Sequence, residues 1–147
     1  MSDERKIPTQ CDARRYAAAL ALAGWWGALT FYGAVVVPEG TDQFGSQAQG
    51  LVTQQVTRTL NLIGVAVAIL SYVALRPPVA TSAWAAWLAF VVSQAVLFGV
   101  HAWLSGLLKS GAGREWFYNV HRIYLLTTAV QWCAAPYLLW SILPRDR

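Results

Sequence analysis

Two histidines, His101 and His121, and two arginines, Arg58 and Arg122, stand inside stretches of sequence that are otherwise apolar. Asn61 follows Arg58 by three residues, and Tyr124 follows His121 by three, so each falls on the same helical face as its neighbour. An imidazole donates, accepts or carries a proton near neutral pH. A guanidinium keeps its charge and presents a planar fork of donors suited to oxyanions. These types point to three chemistries. In the first, His121 hydrogen-bonds Asn61 or Tyr124 to specify packing, and both arginines extend to the polar surface. In the second, the arginines and histidines line a pocket for an anionic or polar ligand. In the third, His101 and His121 from facing helices ligate a metal or haem b, as in membrane b-type cytochromes. Neither histidine has an acidic or thiol ligand at metal-binding spacing.

Those residues need elements to carry them. The chain has 147 residues, 56% of them hydrophobic and only 12% charged, where a soluble domain carries about a quarter charged. Four apolar stretches, 16–37, 57–75, 83–107 and 116–143, each satisfy the requirement of about 20 residues for crossing a hydrocarbon core. Buried backbone groups in lipid must pair internally, and no ten-residue alternation of a barrel is present. The expected fold is therefore all-α: one integral membrane four-helix bundle, up-down in topology, spanning 1–147. Pro38 is expected to stop the first helix, with EGTDQFGSQAQG as a polar loop after it. Arg76-Pro77-Pro78 ends the second helix, and Lys109 to Arg114 forms the third turn.

Small residues should form the packing seams: Gly24, Gly27, Phe31 and Ala34 on helix one, and Asn61, Gly64, Ala68 and Ser71 on helix two. The same seams would serve a homo-oligomer or a membrane protein partner. Trp25 and Trp26 fall mid-helix, where packing is the expected role. On helix three Gln94, Leu97, His101 and Ser105 share one side; on helix four Phe117, His121, Tyr124, Thr128 and Gln131 do the same. An amide or imidazole turned toward lipid loses its hydrogen bonds, so both stripes are expected to face inward. At 1.5 Å per residue, His101 and His121 lie about 7 to 9 Å inside the same rim. Arg58, Asn61, Thr30 and Tyr32 approach that rim as well.

The net charge of +4 does not point to nucleic acid, because the basic residues sit at helix ends rather than in a stripe. They bear on orientation. Arg5, Lys6, Arg14, Arg15, Arg76, Arg145 and Arg147 fall on one side, against Arg58, Lys109, Arg114 and Arg122 on the other. The positive-inside bias then puts both termini in the cytoplasm, with the cell inner membrane as the expected location and the lipid bilayer as the partner. The basic N-terminus resembles a signal peptide, but the 22-residue apolar run after it is too long for one, so it is expected to be retained. Cys11 and Cys133 are expected not to pair, with Cys133 buried in apolar surroundings.

No catalytic signature emerges. The small eicosanoid and glutathione enzymes carry an Arg-rich motif near the end of helix two, where this chain has AILSYVALRPP, and the small membrane protoporphyrinogen oxidases carry a histidine early in helix one, which is absent here. Trp26-Gly27 with Phe31, Gly50-Leu51-Val52, Val100-His101-Ala102-Trp103-Leu104 and Phe117-Tyr118-x-x-His121 together resemble the small four-helix membrane family that includes vertebrate transmembrane protein 205 and bacterial relatives. The resemblance spans most of the chain. It implies a four-helix membrane protein of no established reaction. Departures fall at His101, where the family tends to have Asn, and at Tyr124 and Thr128, where it tends to have a small hydroxyl and an Asn. The resemblance therefore favours a role for His121 and lends nothing to a two-histidine haem site.

Overall fold

Proline has no amide hydrogen, and its ring crowds the carbonyl four residues back. In the computed structural model, which describes residues 10–75, 80–110 and 114–143, the chain meets Pro38 by widening rather than stopping. Helix α1 covers Gln10–Phe31 and passes into a π-helical turn, Tyr32–Val36, where the Val37 amide donates to the Tyr32 carbonyl five residues back. A wider turn of this kind absorbs a local mismatch in the helix ladder. Helix α2, Val37–Ala74, then begins with Pro38 in its first turn, directly after the π-turn. Contrary to the sequence expectation, Pro38 does not end the helix.

The reversal falls instead at Gly45, with φ 78° and ψ 159°, a conformation essentially confined to glycine. Residues on either side of it come face to face. Trp25 Nε1 donates to the Leu60 carbonyl at 2.9 Å, and the Tyr32 hydroxyl lies 3.0 Å from Thr53 Oγ1. The segment expected as a polar loop, 39–50, is thus helical on both sides of one glycine.

Helix α3 covers Thr81–Ser110 and α4 covers Arg114–Ile142. Lys109, Ser110 and Arg114, expected in a turn, belong to the helices, while 111–113 and the Arg76-Pro77-Pro78 break lie outside the described residues. The fold is all-α, with no strand among the described residues. Its helices form three runs, 10–74, Thr81–Ser110 and Arg114–Ile142, rather than four separated by loops, because the α1–α2 junction stays helical up to the kink. Successive elements pack antiparallel. Trp87 Nε1 donates to the Ala68 carbonyl at 3.0 Å between α3 and α2, and the Tyr137 hydroxyl donates to Ser82 Oγ at 2.6 Å between α4 and α3.

The core sits away from the kink, around Leu22, Trp25, Phe90, Leu138 and Ile142. Trp25 stands edge-on to Phe90 with ring centroids 5.0 Å apart, as its mid-helix position predicts. The small-residue seam of α2 is buried throughout, and a Cβ on Gly64 would strike the Gln94 amide and approach Trp25 Nε1 to 3.2 Å. The seam expected on α1 does not pack against the chain's other described helices. Gly24, Gly27, Phe31 and Ala34 are exposed, and the opposite stripe, Ala18, Leu22, Trp25 and Tyr32, faces the protein. Glycine has no side chain to bury, whereas Trp25 and Leu22 each remove a large apolar surface from solvent. Cys133, expected buried, is exposed.

Two helical stretches, Ala13–Ala74 and Thr81–Gly106, are long and apolar enough to cross a membrane; among the described residues α4 does not meet the same measure. Its polar Thr127, Thr128 and Gln131, together with Pro136, dilute the apolar run.

Candidate functional site

One stripe of α2 lines a cavity of about 280 Å³: Ser46, Gln49, Gly50, Thr53, Gln54 and Thr57 recur at steps of three and one, the repeat of a single helical face. Val37 and Thr41 close it from beyond the kink, α3 adds His101, Leu104 and Ser105, and α4 adds His121 and Tyr124. The two histidines that the sequence places at equal depth therefore line the same space. Tyr124 sits against the Thr57 and Asn61 side chains.

Hydrogen bonds set several walls of this cavity. Gln54 Nε2 donates to Ser105 Oγ at 2.7 Å, and Ser105 Oγ donates in turn to the His101 carbonyl at 2.9 Å. Thr57 Oγ1 donates to the Thr53 carbonyl at 2.7 Å, and the Thr53 hydroxyl accepts from Tyr32. Gln49 is buried over Gly40, so close that any side chain at position 40 would displace its amide. Its Nε2 has no hydrogen-bond partner. Leaving such a donor buried and unmade costs about 1–3 kcal/mol.

A second cavity, about 410 Å³, shares Gln54, His101 and Ser105 with the first and adds Gln55 and Arg58. The Gln54–Ser105 bond and His101 form the partition between the two. Among the described residues, no acidic one lines either cavity. Arg122 is exposed and lines neither. Asn61 is buried beneath Tyr124, with its Nδ2 unpartnered. Phe117's side chain lies outside the described set. Among the described residues no group of three or more His, Cys, Asp or Glu side chains could hold a metal ion.

Below the cavity the interior stripe of α2 continues through Asn61 and Gly64 to a buried amide pair, in which Gln131 Nε2 donates to Gln94 Oε1 at 2.7 Å. The sequence stripes on α3 and α4 thus face inward, as expected. Ser46, Gln49 and Gly50 were missed because 39–50 reads as loop by composition, whereas Thr53, Gln54 and Thr57 fall in the 51–62 stretch whose pattern already reads as helical; the 46-49-50-53-54-57 spacing joins them on one helix face. Compared with known protein families, with curated proteins and with solved structures, the chain matches none.

Proposed function

We propose that the chain is an integral membrane protein of four antiparallel spans that binds a polar group in the cavity at its kinked end, acting in binding, transport support or assembly. The observation that carries this reading is the contrast between inside and outside. His101, His121, Tyr124 and the Gln-Thr stripe of α2 turn toward a common space. Leu62, Ile69, Leu88, Val92, Leu126 and Val130 turn outward and are exposed. A water-soluble monomer seldom exposes apolar patches above a few hundred Å², whereas a lipid-facing surface requires them. The spanning length of α4, about 29 residues at 1.5 Å each, exceeds a hydrocarbon core of about 30 Å even though its composition is less apolar. The basic-residue asymmetry puts both termini in the cytoplasm of a cell whose inner membrane holds the protein, and the kinked end on the opposite face. The resemblance to the transmembrane protein 205 family supports the same architecture.

Alkaline carbonate extraction and cysteine labelling test the proposal together. The protein is expected to stay with the membrane pellet, and a membrane-impermeant maleimide is expected to label Ser46→Cys from the non-cytoplasmic face. Release by carbonate, or labelling from the cytoplasmic face alone, would overturn it.

A further inference from the structure

We propose, resting on the reading above, that the cavity holds the head of a single-chain amphipath bearing an oxyanion, a carboxylate or a phosphate. Three observations converge on an acceptor-rich, negatively charged head. Gln49 lines the cavity and is 5% exposed, and its Nε2, a donor with no acceptor in the protein, is covered by the amide's packing over Gly40, so a bound head meets it once the amide turns into the cavity. No Asp or Glu is among the described residues that line either chamber, so none of those residues repels an anion or attracts a cation. Arg58 stands in the adjoining chamber behind His101, which lines both, and supplies the positive field of a charged donor.

Size and surroundings select an amphipath over a small soluble anion. A volume of about 280 Å³ would hold on the order of ten waters at about 30 Å³ each. That is more than one carboxylate requires. Val37 and Leu104 line the same space and would take the first methylenes of a tail. Leu51 and Val52, beside the lining Gly50, are exposed at 64% and 49% and continue the apolar surface outward along α2. The head therefore docks among Gln49, Thr53 and the histidines while the chain leaves through the lipid-facing side.

The test uses full-length protein in lipid nanodiscs with Cys11→Ala and Cys133→Ala, carrying Thr53→Cys in the cavity, and Thr59→Cys on the exposed face as the control for bulk bilayer effects. Maleimide labelling is followed with dodecanoate, dodecyl phosphate, dodecyltrimethylammonium or dodecanol present. Both oxyanions are expected to slow labelling at position 53 saturably, by about tenfold, the worth of one charge-assisted hydrogen bond, and to leave position 59 unchanged. Arg58→Gln should weaken that protection, and Gln49→Glu should abolish it and transfer protection to the ammonium. Protection by one oxyanion alone identifies its head chemistry and supports the proposal. Equal protection by dodecanol, or none by either oxyanion, overturns the ligand class while leaving the cavity in place. Failure of the maleimide to reach Thr53→Cys without any amphipath overturns the cavity itself, and the proposal with it.

Discussion

Gln131 on α4 donates its Nε2 to Gln94 Oε1 on α3 across 2.7 Å, with both side chains buried. The bond joins two helices at the level of Gly64 on α2, whose missing side chain makes room for the Gln94 amide. Neither amide is fully served, since Gln94 Nε2 and Gln131 Oε1 have no partner. The pair therefore specifies which faces meet more than it adds to stability.

A double-mutant cycle checks that statement. Gln94→Leu and Gln131→Leu should each destabilise the protein, with a coupling energy of about 0.6 kcal/mol and not above about 1.7, the range found between membrane helices. Reversible unfolding in mixed detergent measures it; additivity of the two changes would deny the bond any energetic role.

Glycines on the two faces should behave in opposite ways. Gly64→Ala drives a Cβ into the Gln94 amide and toward Trp25 Nε1, and should destabilise by about 1–3 kcal/mol. A Cβ at Gly24 or Gly27 meets nothing within 4 Å, so Ala there should be neutral or stabilise by up to about 1 kcal/mol. Thermal melting of the three variants side by side decides it. A loss at Gly24→Ala equal to that at Gly64→Ala would place a partner on that face.

Gly45→Ala should destabilise by about 1–3 kcal/mol, because φ 78° with ψ 159° excludes a Cβ. Gly40→Ala should act differently, displacing the Gln49 amide from the cavity wall. The prediction for Gly40→Ala is a change in maleimide access to Thr53→Cys larger than its change in melting temperature, whereas Gly45→Ala should shift both.

His121→Ala should alter ligand binding more than folding, since His121 is only half-buried and lines the cavity. Expression and melting are expected to fall less than for Gly64→Leu. An equal fall would make the histidine a packing residue. A visible spectrum of the purified protein separates the remaining chemistry: no Soret band is expected, and a stoichiometric one lost in both His101→Ala and His121→Ala would assign the pair to haem b.

Much of this arrangement is written in period and composition. The inward stripes of α3 and α4 follow from the cost of turning Gln94, His101, Tyr124 or Gln131 toward an apolar medium, and that cost depends only on residue type and spacing. The equal depth of His101 and His121 follows from counting residues along two helices. Three features depended on tertiary contacts. Which stripe of α1 faces inward was decided by Trp25 finding both the Leu60 carbonyl and the Phe90 ring, contacts that no local pattern announces. The end of the first helix was decided by a π-turn that absorbs Pro38 and by Gly45, one of three glycines in a stretch whose composition reads as loop. The cavity itself, with Gln49 folded over Gly40, exists because that kink brings Val37 and Thr41 back over the Gln-Thr stripe of α2. The polarity of each face follows from residue type and spacing, because transfer free energy is a property of the side chain. Structure alone decided which faces met, because packing is a property of pairs.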